Sequence, residues 1–218
     1  VPRKSFHEEL EELRLEVARM GDLVEIAVHK ALDAMLEPNL QLAEEVIRED
    51  DAIDEMNMNI EERSLQMLAR QQPVAKDLRF ISSILKIVIH LERIGDYAFN
   101  VAKIAKRLKA GDEAQSILDI ITDMSKRTKE VVTAGIKVFN ERDLELAHAL
   151  PEMDAAIDDG FKKLIRELGV CLTDEACEAN WSTSIILASR NIERMADHAV
   201  DIGEQVIYFV TGEMEELD

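Results

Sequence analysis

The sequence predicts an all-α protein: two tandem, pseudo-symmetric three-helix bundles made of six long helices. Three observations carry that expectation. Chain breakers are few, apolar residues recur at helical spacing between them, and the second half repeats the first. Eight Gly, four Pro and 4% aromatics over 218 residues argue against a loop-rich β-protein, while 47% apolar residues exclude a disordered acidic chain.

The helices follow from the breakers in order. A first helix starts near Phe6 and ends at Glu37-Pro38-Asn39; a second ends at Gln71-Gln72-Pro73; a third ends at Ala110-Gly111-Asp112. Asn140-Glu141-Arg142-Asp143 separates the fourth from the fifth, and Gly169 to Glu175 separates the fifth from a sixth that runs to about Val210. The third shows the pattern well: Ile81, Ile84, Leu85, Val88, Leu91, Gly95, Ala98, Val101, Ala102 and Ala105 form one stripe. Helices of about 30 residues are about 45 Å long at 1.5 Å per residue. Short connections make neighbours antiparallel, which gives bundles.

The halves can be superposed in sequence. Leu91 to Ala105, LERIGDYAFNVAKIA, matches Ile192 to Val206, IERMADHAVDIGEQV, at an offset of 101. Upstream the offset is 104, and it aligns Leu40 with Leu144, Asp50 with Asp154, Ile53 with Ile157 and Asp54 with Asp158. The repeat is too long for a solenoid unit. The domain junction is therefore expected near Gly111, with bundles spanning 1–110 and 111–218.

Charge narrows the function. With 26 Lys+Arg against 45 Asp+Glu, the formal net charge is −19. Such a surface repels phosphate backbones, so nucleic acid and bare anionic lipid are poor direct partners, and cations and basic protein surfaces are better ones. The most apolar stretch, Phe80 to Leu91, is interrupted by Ser82, Ser83, Lys86 and His90, so no membrane insertion is expected. The first residues lack the apolar core of a signal peptide, which points to the cytoplasm. Cys171 and Cys177 read as reduced, partly buried thiols, and Trp181 as core.

Acidic pairs four apart are common here, since chance alone gives roughly nine in a chain of this composition. Recurrence at equivalent positions is what distinguishes a few of them. Residues at one height of an antiparallel hairpin have position numbers with a constant sum. Asp50 with Asp96, and Asp54 with Glu92, both sum to 146, which centres the hairpin on Pro73. Asp154 with Asp197, and Asp158 with Glu193, both sum to 351, which centres it between Glu175 and Ala176.

If these carboxylates converge, their repulsion needs compensation. Arg93 and Arg194 could supply it through a structural ion-pair network. A hard or borderline cation is the favoured alternative, because carboxylate clusters suit Mg, Mn, Ca or Fe. Asn100 and Asp201 occupy equivalent positions one turn beyond Asp96 and Asp197, so the second site has one more acidic candidate.

Ferritin-like di-iron chemistry would need two Glu-x-x-His motifs, and only Glu145 with His148 has that spacing. His148 therefore reads as a surface or half-buried residue. His198, beside Asp197, is the histidine worth testing as an auxiliary ligand. No phosphate loop, Ser/His/Asp arrangement or Cys/His motif is evident, so catalysis is not expected.

Leu91-Glu-Arg-Ile-Gly-Asp-Tyr-Ala-Phe-Asn100, repeated as Ile192-Glu-Arg-Met-Ala-Asp-His-Ala-Val-Asp201, resembles the PhoU family of phosphate-regulation proteins, and Gln72-Pro-Val-Ala-Lys-Asp-Leu-Arg79 strengthens the match. The resemblance covers nearly the whole chain. It implies a cytoplasmic negative regulator of phosphate uptake and of the phosphate-starvation response. Its implied partners are the ATPase component of a Pst-type phosphate ABC transporter, a phosphate-sensing histidine kinase and a second copy of the chain, in a homodimer. The family's metal-associated motif maps onto Glu92/Asp96 and Glu193/Asp197, and the resemblance implies iron or zinc there; with the coordination argument above, the expected cofactor is Fe, Zn, Mn or Mg, and Asp50/Asp54 and Asp154/Asp158 extend the motif by the height relation. Asp77 and Arg79 have no counterpart in the second half. The competing expectation is a metal-dependent oxidase or hydrolase using the same carboxylates. A plainer one is a structural helical dimer with no bound ion.

Overall fold

The computed structural model describes residues 3–37, 39–108, 115–173 and 177–217. It contains α1 (Arg3–Leu36), α2 (Leu40–Gln71), α3 (Ala75–Ala105), α4 (Gln115–Glu141), α5 (Leu144–Thr173) and α6 (Ala179–Thr211), with no strand among the described residues. α1, α2 and α3 pack on one another, as do α4, α5 and α6. The fold is thus an all-α pair of three-helix bundles. The predicted junction at Gly111 lies outside the described residues.

Local chemistry sets the ends. The Asn39 side chain accepts hydrogen bonds from the backbone N–H of Gln41 and Leu42, at 3.1 and 3.2 Å, and so caps α2. Gln72 takes a left-handed conformation with φ 46° and closes α2 just before Pro73. Asp143 accepts from the backbone N–H of Leu146 and caps α5. Gly212, with φ 88°, ends α6, a conformation that glycine adopts without a Cβ penalty.

Two boundaries differ from expectation. α3 stops at Ala105, short of Ala110, and α5 continues through Gly169 to Thr173. A Cβ at Gly169 would meet nothing within 4 Å. Its helical position is exposed, and a lone glycine costs an exposed helix only about 1 kcal/mol.

The thiol expectation is also corrected: Cys171 and Cys177 are joined by a disulfide, with Cα atoms 5.4 Å apart. The first cysteine lies in the last turn of α5 and the second just before α6, and their Cα separation is within the range a disulfide spans.

The core runs through both bundles. Every residue of the α3 stripe is buried except half-buried Leu85. Trp181 is half-buried against the core rather than within it. Ile87 and Ile94 are buried as well, on the side of α3 that carries Ala98, Val101 and Ala105. α3 meets α6 in the most extensive helix pairing of the molecule, and α1 meets α4 as well. Phe80 packs edge-to-face on Phe209, with ring centroids 5.3 Å apart, and His90 meets His198, so α3 and α6 run antiparallel along this seam. No helix among the described residues is long and apolar enough to cross a membrane.

Candidate metal centre

α2 and α3 turn about Pro73, and α5 ends at Thr173 before α6 begins at Ala179, so the height relation read from sequence can be compared with atoms. In the first bundle, one carboxylate oxygen from each of Asp54, Glu92 and Asp96 lies within 4.8 Å of the others. Asp50 completes the group, its charge interacting with Asp54, Asp96 and Glu92. In the second bundle, oxygens of Asp154, Asp158 and Asp197 converge within 4.8 Å, and Glu193 interacts with Asp197 and Asp158. Eight acidic side chains therefore meet in two groups of four. Asn100 is exposed, one turn past Asp96.

Crowding leaves its mark on proton affinity. Burial, reinforced by Asp54 and Asp96, pushes the Asp50 carboxyl up to about 6. Burial together with Asp197, Asp158 and Glu193 pushes Asp154 up to about 7. Glu92, Glu193 and Asp197 are raised too, chiefly by burial. Without a cation these groups hold protons more tightly than solvated carboxylates do.

Arginines supply part of the compensation. Arg93 Nη1 reaches Asp96 Oδ2 at 3.1 Å, and Arg194 Nη1 lies 3.5 Å from Asp197 Oδ2. Arg190 pairs with Glu193. Arg190 is not singled out by the repeat, since Ile89 stands at the equivalent position of the first half. Even so, Asp154 Oδ1 and Glu193 Oε2 are buried with no hydrogen-bond partner among the described residues. Buried oxygens left unpaired are costly, and an oxygen-only donor set suits hard or borderline divalent cations.

Asp201 departs from expectation. It was grouped with Asp197, but its carboxylate lies 2.9 Å from His198 Nδ1 and 3.1 Å from His90 Nδ1. These imidazoles outweigh the effect of burial and hold its carboxyl well below the usual range. The reason is the α3–α6 seam, which brings His90 of the other bundle against α6. His148 is exposed and touches the Leu144 carbonyl and Glu215, as a surface residue does.

Asp77 and Arg79 begin α3 at the far end of the seam. Asp77 lines a cavity of about 260 Å³ with His7, Lys76, Phe80, Arg142 and Phe209. The Arg79 guanidinium packs under Gly212, where an added Cβ would come 3.3 Å from Cζ.

The model of the PhoU domain matches residues 17–105 and again 121–206, once in each bundle. A phosphate-specific transport system accessory protein PhoU homolog of Clostridium acetobutylicum is 33% identical over 99% of both chains. The protein of the same description in Aquifex aeolicus is 38% identical over 94% of this chain and 93% of its own. The crystal structure of PhoU from Pseudomonas aeruginosa superposes with a TM-score of 0.91 at 36% identity, covering 95% of this chain and all of that one. The phosphate transport system regulatory protein PhoU from Streptococcus pneumoniae gives 0.88 at 29% identity over 97% of this chain. By full-length sequence match and by fold, this chain belongs to the PhoU family.

Proposed function

We propose that this chain is a non-enzymatic accessory protein of phosphate-specific transport, a cytoplasmic negative regulator of phosphate uptake and of the starvation response. It binds divalent cations in its two acidic groups. As a homodimer it acts as an adaptor between the ATPase component of the transporter and a phosphate-sensing histidine kinase. The description carried by its full-length relatives supports the first part. The observation that carries the cation reading is the pair of buried, unpartnered oxygens, Asp154 Oδ1 and Glu193 Oε2, inside a repeated carboxylate group.

Asp50, Asp54, Glu92 and Asp96 would hold the cation of the first bundle, and Asp154, Asp158, Glu193 and Asp197 that of the second. A bound cation would supply the positive charge that lets all four carboxylates of a group stay ionised. The protein's own part is positional: each group joins the two helices of a hairpin near mid-length and fixes their separation. To regulate, the cation must bind the partner-competent state more tightly than the incompetent one.

Calorimetric titration of the full chain, with and without Mn²⁺, against the transporter ATPase and the kinase's cytoplasmic portion tests this reading. Binding to either partner that strengthens with Mn²⁺ is the expected result. Failure to bind both would contradict it, and Mn²⁺-dependent turnover lost in Asp197→Asn would favour the enzyme.

A further inference from the structure

The strongest unassigned constellation is on the α3–α6 seam. His90 Nδ1 and His198 Nδ1 are 3.1 Å apart, and Asp201 Oδ2 is 3.1 Å from the first and 2.9 Å from the second. One ligand comes from the first bundle and two from the second. We propose that His90, His198 and Asp201 form a binding site for a divalent transition ion of the zinc class, separate from the acidic groups, that ties the two bundles together.

Three features point there. The first is spacing. An ion about 2.0–2.1 Å from each ligand holds neighbouring ligands about 2.9 Å apart on an octahedral face and about 3.4 Å apart in a tetrahedron. The observed triangle, with sides of 3.1, 3.1 and 2.9 Å, lies between those limits.

The second is valence. An imidazole Nδ1 offers one in-plane direction, either an N–H or a lone pair. If both nitrogens donate to Asp201, two N–H groups crowd onto one oxygen with the nitrogens only 3.1 Å apart; if one is bare, its lone pair faces the carboxylate. A dication facing all three atoms satisfies the set at once. Two imidazoles with one carboxylate favour Zn, Fe(II) or Co over Mg or Ca.

The third is the break in the repeat. At the offset of 101, His90 corresponds to Asn191, His198 to Tyr97 and Asp201 to Asn100. All three positions carry a different residue in the other half, so the repeat generates no second, symmetry-related copy of the set. Tyr97 stacks on the His198 ring at 5.7 Å and 12°, which fixes its plane. All three ligands are half-buried, so an ion can enter from solvent.

The test uses the full chain stripped with EDTA at pH 7.5. Zinc K-edge absorption at one equivalent of Zn²⁺ should show imidazole scattering, and Co²⁺ should give a visible d–d band. His90→Gln should abolish the band and weaken Zn²⁺ binding at least tenfold in a chelator competition. Glu193→Gln/Asp197→Asn should keep both, which separates this site from the acidic groups. An oxygen-only zinc shell in the wild-type chain, or unchanged Zn²⁺ affinity in a folded His90→Gln chain, would overturn the proposal.

Discussion

Asp158 on α5 and Asp197 on α6 bring carboxylate oxygens within 4.8 Å of each other, although two like charges repel and the helices have ample surface on which to face water. Asp54 and Glu92 do the same between α2 and α3. A repeated arrangement that raises the energy of the empty protein has measurable consequences for its pH dependence, its packing and its metal content.

The first concerns pH. Asp50 and Asp154 are pushed up to about 6 and about 7 from an ordinary 3.8, chiefly by burial. Between the ordinary and the raised values the folded chain binds more protons than the unfolded one, so stability falls as pH rises through that window. In EDTA, Tm is predicted to drop by roughly 5 °C from pH 5 to pH 7.5, the shift of a modest destabilisation in a chain of this size. Circular dichroism melts measure it; a flat or rising Tm would contradict the carboxylate crowding.

Asp154→Asn removes the charge whose carboxyl is raised most clearly. Two outcomes are expected together: the metal-free chain gains about 1 kcal/mol at pH 7.5, because a buried like-charge repulsion is relieved, and its Mn²⁺ affinity falls at least tenfold. Urea unfolding and calorimetry read the two effects. A loss of stability in EDTA would mean that the carboxylate is satisfied without a cation.

Gly135 controls how close α4 comes to α6. A Cβ there would lie 3.0 Å from the Ala199 carbonyl oxygen and 3.3 Å from its Cα, and backbone cannot step aside as a side chain can. Gly135→Val is predicted to cost about 2–3 kcal/mol by overpacking. Because Ala199 follows His198 directly, the same substitution should disturb the seam. Denaturant unfolding gives the cost; a value within about 0.5 kcal/mol of wild type would refute the close contact.

For the disulfide, Cys171→Ser should lower the stability of the oxidised chain by about 2 kcal/mol, the loop-closure value for so short a loop. It should leave the stability of the reduced chain nearly unchanged. Equal unfolding midpoints for both proteins without reductant would count against the bond.

Much of this molecule is legible in its sequence, and the exceptions are instructive. Pro73 and Asn39 end and start helices for reasons contained in single residues, so those boundaries need no tertiary information. The height relation succeeds because a hairpin of straight helices is nearly one-dimensional: once the turn is located, Asp54 must lie level with Glu92. Helix rotation was the unknown, and the buried neighbours of these acids resolve it. Gly169 misled because a glycine ends a helix only where the chain needs a left-handed turn.

The α3–α6 seam is not legible from either bundle alone, because it joins helices of different bundles. Ile87 and Ile94 carry the signal, since they widen the buried apolar stripe of α3. Asp201 changed partners for the same reason, since His90 comes from the other bundle. Arg190 has no counterpart in the other half, and two cysteines six residues apart match no disulfide framework, so only the fold shows that they pair.

Metal content bears most directly on the carboxylate groups. The full chain, purified without a nickel resin, is analysed for bound metals beside Glu193→Gln/Asp197→Asn prepared identically. Wild-type protein should carry divalent cations, and the variant should lose roughly half of the ions held by oxygen ligands, since one of the two groups is disabled. Identical metal content in the two folded proteins would contradict the assignment of those carboxylates to a cation.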